Sequence, residues 1–197
     1  MASFIDVATL VAQSVQAAVP AIQAVASLLT SDRSVIIEVD NNTDLTLVKE
    51  TDHHESGGFA VLPKLAIPPR SVEVFGSQSL GGSFAGTVGS VTYKADGLEF
   101  LVGWNNARFG GNKTNIGPDN SGLGGANANR FLAIHQTGVG NQQAHMRFML
   151  FVHPSYSLKD TFNDRGDLSQ GIFKVLGMRP GNGIRGQLPN TTAIDAT

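Results

Sequence analysis

The chain contains no cysteine, which excludes a disulfide framework and thiol chemistry. Charge is scarce too: Asp, Glu, Lys and Arg make up 15% of the 197 residues, against about a quarter in ordinary soluble domains. A net charge of −2 leaves no basic field for nucleic acid, and no Lys/Arg run is present to grip anionic lipid. There are only two Tyr and one Trp, so no aromatic cage for a cationic headgroup can be assembled from tyrosines. No Ser/His/Asp set stands in a recognised context and no phosphate loop opens a helix. Neither enzymatic activity nor a cofactor is therefore expected.

The gap in charge is longest between Asp6 and Asp32, and a helical pattern fills it. At about 100° per residue, Phe4, Val7, Leu10, Val11, Val15, Ala18, Ile22, Val25, Leu28 and Leu29 share one face. Asp6, Thr9, Gln13, Gln16, Pro20, Gln23, Ser27 and Thr30 share the other. One helix from Phe4 to Leu29 would be about 39 Å long at about 1.5 Å per residue, enough to cross a bilayer core of roughly 30 Å. Its glutamine-bearing polar face argues against a fixed span and for lying on an interface, or lining a pore jointly with copies of itself. A core helix docked permanently on a sheet is the plainer alternative. Pro20 is expected to kink or divide the helix on its polar side. The start Met-Ala-Ser-Phe-Ile-Asp has no basic n-region, so a signal peptide is not expected.

Past Ser31 the period changes to that of short strands: 34–40, 45–51, 58–63, 70–76, 83–95 and 98–104, then 130–136 and 144–153. Asn41–Asp44, Ser56–Gly58, Ile67–Pro69 and Asp96–Gly97 carry turn chemistry. Between Trp104 and Arg130 lies a Gly/Asn-rich stretch too polar for the core. The fold class is mainly β, an antiparallel β-sandwich with the amphipathic helix packed against it. Three parts follow: the helix at 1–30, the sandwich at 31–153, and an extension at 154–197 with one short element around Gly171–Met178 and a Gly/Pro/Thr-rich tail expected to be mobile at its end.

The ordered set Arg33–Asn42, His54–Pro63, Pro68–Gly76, Gly86-Thr-Val-Gly89 running to Tyr93, Asp96-Gly97 and Leu98–Trp104 resembles the actinoporins, pore-forming cytolysins of sea anemones. It covers roughly residues 4–105. The resemblance implies a secreted, soluble monomer that binds a lipid membrane, self-associates and inserts its helix to form a cation-permeable pore. The inserting residues would be Phe4, Val7, Leu10, Val11, Val15, Ile22, Val25 and Leu29. Ser56 and Val88 match positions of the family's headgroup pocket, while Gly103 and Asn105 stand where the family has Ser and Pro. The family's tyrosine-rich segment has no counterpart, which points away from a phosphocholine cage and toward another receptor, such as a different sphingolipid, a sterol or a glycan.

Trp104, Arg108 and Phe109 are candidates for contact with the interface, with burial inside the sandwich the alternative for Trp104. Glu50–Glu55 groups two histidines with three carboxylates and is expected to be a solvated loop rather than a metal site. His135, His145 and His153 are expected to be structural. Asn41, Asn112 and Asn190 open N-x-Thr sequons, and Arg165-Gly166-Asp167 matches a tripeptide common in the family, out of register. The rival function is a non-lytic glycan- or headgroup-binding sandwich, as in fungal fruit-body lectins, which resemble the actinoporin sandwich without its helix. A further alternative is an assembly protein whose helix joins subunits.

Overall fold

The computed structural model describes residues 7–81, 85–109, 111–114, 122–138 and 142–153, with side chains from Ala18 onward. A helix, α1 (Val7–Leu28), precedes the strands. These are β1 (Ser34–Asn42), β2 (Leu47–Ser56), β3 (Gly58–Val61), β4 (Ala66–Ile67), β5 (Ser71–Gln78) and β6 (Thr87–Ala95). They continue with β7 (Leu98–Asn106), β8 (Lys113–Thr114), β9 (Leu123–Gly124), β10 (Phe131–Gln136) and β11 (Gln143–Val152). The Gly171–Met178 element and Arg165-Gly166-Asp167 lie outside the described residues.

Two sheets face each other. The first has the order β10-β11-β1-β5-β3, the second β4-β2-β6-β7-β8, with β9 also on β7. The pairs are antiparallel except β1 with β11, which run parallel from Ser34↔Gln143 to Asn42↔Phe151. That pair qualifies the antiparallel expectation. Strand direction follows from chain path, and the sequence of either strand alone carries no record of its partner.

Alternation decides what each strand buries. From β1, Val35, Ile37 and Val39 point between the sheets, where Phe75, Tyr93, Phe100, Val102, Trp104, Met146 and Leu150 meet them. Ile36 points the other way, into a second and smaller cluster with α1. Asn41 closes one end of the core. Its amide nitrogen donates to the carbonyls of Leu45 (2.7 Å), Ile67 (3.2 Å) and Pro68 (2.9 Å), and its oxygen accepts from the Thr43 backbone N–H and hydroxyl. The first sequon asparagine is thus consumed by the fold. Between β6 and β7, Asp96 (φ 42°) and Gly97 (φ 72°) make the tight turn that their sequence demands.

Two local expectations change. The Glu50–Glu55 stretch is not a loop but the body of β2, laddered onto β6 from Val48↔Lys94 to Ser56↔Val88. Most of its polar side chains face water along an exposed strand, His54 excepted, so no apolar alternation marks it. Pro20 does not divide α1, which runs continuously through it with the ring on the exposed side.

Candidate functional site

Helix α1 lies on the outer face of the first sheet, above β5, β1 and β3. Its docking stripe is Ala18, Ile22, Val25 and Leu29, at spacings of one helical turn. Beneath it are Ile36, Val72, Val74, Ala60 and Val61. Gly76 sets the depth of contact: a Cβ there would stand 2.8 Å from Val25 Cγ1 and 3.0 Å from Leu29 Cδ2. Among the described residues no aromatic ring belongs to this cluster. Fully burying one Val, Leu or Ile is worth about 1.5–3 kcal/mol, so the described dock is modest beside the core.

Of the residues expected to insert, Ile22, Val25 and Leu29 belong to the stripe. Val7, Leu10, Val11 and Val15 lie on the helix, their side chains outside the described residues, and Phe4 precedes them. Leu28, expected on the apolar face, is 58% exposed. Leu28 lies outside the stripe of Ala18, Ile22, Val25 and Leu29.

Hydrogen bonds fix the end of the helix to the end of β5. The Gln78 side-chain oxygen accepts from the backbone N–H of Thr30 (2.9 Å) and of Ser31 (3.2 Å). The Ser31 hydroxyl donates to the Ser79 carbonyl at 2.8 Å, and the Ser79 N–H to the Arg33 carbonyl at 2.8 Å. One guanidinium nitrogen of Arg33 donates to the carbonyl of Arg108 at 3.2 Å. The end of the helix, the end of β5 and the segment after β7 are therefore one bonded unit.

Ser56, Val88, Gly103, Trp104, Arg108 and Phe109 gather at this same end. Ser56 stands opposite Val88, Gly103 opposite Ser90, and Trp104 opposite Gly89. Gly103 is buried, Val88 half-buried, and the Ser56 hydroxyl is buried without a hydrogen-bond partner among the described residues. Trp104 takes the buried alternative: it is 2% exposed and donates its indole N–H to Thr87 Oγ1 at 3.2 Å. Phe59, Phe75 and His54 surround its ring at centroid distances of 5.8, 6.0 and 5.3 Å. Gly89 makes room, since a Cβ there would come within 2.7 Å of Trp104 Cζ2. Trp104 thus fills the sandwich and does not reach an interface. Phe109, by contrast, is 84% exposed, and Arg108 is exposed beside it.

A polar chain crosses the core behind Trp104. Thr87 Oγ1 lies 2.6 Å from Ser77 Oγ, which lies 3.0 Å from His54 Nε2. Burial holds the His54 imidazole below its usual pKa, so the neutral ring is favoured. On the outer face of β1 and β11, Glu38 and Asp40 are almost fully buried with Arg147. Arg147 Nε is 3.0 Å from Glu38 Oε1, its Nη2 contacts Asp40 Oδ2, and His145 Nε2 is 2.8 Å from Glu38 Oε2. One further feature, Leu80, escaped the sequence reading: it is 62% exposed just after β5. A bulky apolar residue inside Ser-Leu-Gly-Gly was the available signal.

No protein-family model matches this chain, and no curated protein matches it. Among solved structures, the lipid-binding protein Nakanori aligns with a TM-score of 0.55 at 16% identity, over 69% of this chain and 79% of its own. RahU protein, solved with a TRIS molecule, gives 0.48 at 12% identity over 62% and 97%, and IP-1A from Alcaligenes faecalis gives 0.46 at 13% over 64% and 95%. The first likeness shows a common fold.

Proposed function

We propose that this protein is a non-enzymatic, actinoporin-like pore former: a secreted monomer that docks on a target membrane, self-associates and inserts α1 to open a cation-permeable pore. One observation supports this above the others. The amphipathic helix is a separate layer, held on the outside of a complete sandwich by Ala18, Ile22, Val25 and Leu29 over Gly76 and a few aliphatic side chains. Lifting it leaves the inter-sheet core untouched. A bilayer offers the same apolar stripe a competing surface, and differential affinity for that surface is all the switch requires.

Among the described residues no helix is long and apolar enough to cross a membrane. Copies of α1 lining a pore together keep their glutamine faces on water, so no lone span is needed. The lipid-binding description of Nakanori supports a lipid partner for this fold.

The absence of cysteine makes a direct test available. Val25→Cys with Gly76→Cys places two thiols where the helix meets its seat and introduces the chain's only disulfide. Dye-loaded vesicles of phosphatidylcholine with sphingomyelin, sterol or glycolipid then name the receptor. Binding by the oxidised protein without release, and release on reduction, is the expected result. Equal release in both states would remove helix insertion from the mechanism. Binding with no release in either state, nor from the unsubstituted protein, would establish the non-lytic binding module.

A further inference from the structure

Three large apolar side chains stand exposed at the end of the sandwich where α1 joins β1. Leu28 (58% exposed) closes the helix, Leu80 (62%) follows β5, and Phe109 (84%) follows β7. They come from segments distant in sequence. The bonds of Gln78 to Thr30 and Ser31, of Ser31 to Ser79, and of Arg33 to Arg108 join those segments into one unit. Arg33, Arg108 and Lys113 bring positive charge to this end, against Asp32 and Glu55.

We infer that Leu28, Leu80 and Phe109 are the anchors by which this chain sits on a bilayer, and that the hinge of α1 is itself part of the membrane-contacting surface. This rests on the membrane-active function proposed above and names the surface that performs its first step. A bilayer fits these residues better than a second copy does. Separate apolar tips, Leu80 and Phe109 beside glycines and Leu28 at the end of the helix, can enter the acyl boundary singly while nearby cations meet lipid phosphates. Even if each tip buried about 200 Å², three would fall short of the roughly 800 Å² per partner that a stable protein interface takes. Because Leu28 belongs to the hinge, docking brings the helix end to the interface before the stripe is released.

The test uses the full chain, which has no cysteine of its own. Leu28→Cys, Leu80→Cys, Phe109→Cys and, as control, Leu65→Cys are labelled one at a time with an environment-sensitive fluorophore. Leu65 is 74% exposed on the crossover between the sheets, at the side of the sandwich. The probes are vesicles of phosphatidylcholine, alone, with phosphatidylserine, and with whichever receptor lipid gives binding of the unsubstituted protein.

Labels at 28, 80 and 109 should shift to the blue on vesicles while the label at 65 does not. Leu80→Ser with Phe109→Ser should weaken vesicle partitioning on the order of a hundredfold with an unchanged melting temperature. Vesicle binding with no shift at 28, 80 and 109, or with an equal shift at 65, would overturn this surface and leave pore formation standing. A concentration-dependent shift without vesicles would make it a self-association surface and overturn it as a membrane anchor. No binding of the unsubstituted protein to any vesicle would sink both proposals together.

Discussion

The first sheet buries its inner face and, beneath α1, part of its outer face, with different materials. Inward, Ile37, Phe75, Met146 and Leu150 meet Tyr93, Phe100, Val102 and Trp104, and the rings of Phe59, Phe75, His54 and Trp104 interlock edge to face. Outward, Ile36, Val74 and Gly76 receive Ala18, Ile22, Val25 and Leu29. The inner contact is built around aromatic rings. The outer one, among the described residues, is aliphatic throughout. On the function proposed above, the second is the contact that a bilayer would replace, and the hydrogen bonds of Gln78 and Ser79 to the helix end would hold the chain at that point.

The sharpest way to break this comparison is to damage each face and see which carries the fold. Phe75→Ala empties the inner contact and should cost about 3–5 kcal/mol in denaturant unfolding. A loss of less than about 1 kcal/mol would mean the inter-sheet core is not the main source of stability. Asn41→Ala comes next. It leaves the buried Ile67 carbonyl and the carbonyls of Leu45 and Pro68 without their shared donor, and about 1–3 kcal/mol should disappear from the same measurement. The same hydrogen bonds predict that Asn41 carries no glycan when the folded chain is made in a glycosylating host, which intact mass would reveal.

Val74→Ala strikes the outer face alone and should weaken the dock by about 1–2 kcal/mol. The readout differs in kind: faster proteolysis within α1 and faster dye release, with the denaturant midpoint nearly unmoved. A midpoint shift as large as that of Phe75→Ala would show that helix and sandwich unfold as one unit, and the reversible-dock reading would fail. Gln78→Ala, which frees the N–H groups of Thr30 and Ser31, should act in the same direction by a smaller amount.

How much of this could be read from the chain depends on whether a signal was local. The strands β1, β5, β7 and β11 announce themselves through alternation or unbroken apolar runs, and Asp96-Gly97 through turn chemistry. The second half of β2 did not, because Thr51, Asp52, His53 and Glu55 are exposed and the one inward side chain among them, His54, is polar. Pairing of β1 with β11 joins the two ends of the sandwich, and no local pattern encodes it. The position of Trp104 was undecided from its own neighbours. The missing information sat across the ladder, in Gly89, whose lack of a side chain admits the indole. Leu28 and Leu80 were misjudged or missed for a related reason: whether an apolar residue is a core contact or an exposed anchor depends on what the fold brings beside it.

The smallest expected effect separates the two faces by charge. Burial lowers the pKa of His54, His135 and His153 below the ordinary histidine value. His54 belongs to the inter-sheet network, His135 packs beside Phe148 of the core, and His153 follows β11. None lies on the dock, and α1 carries no histidine at all. A histidine whose folded pKa is depressed is neutral in both folded and unfolded chains at high pH, so its contribution is complete above the unfolded value of about 6.5. Below that value the unfolded chain takes up protons first, and stability is lost progressively as pH falls through the folded pKa. Acid should therefore lower the denaturant midpoint between pH 7 and pH 5 by loosening the sandwich, and His54→Gln should flatten part of that slope. The proteolysis rate within α1, measured where the sandwich is still folded, should hardly follow. If acid instead sped helix cleavage while the midpoint held, the titrating group would lie under the helix, and the division between an acid-sensitive core and an indifferent dock would be wrong.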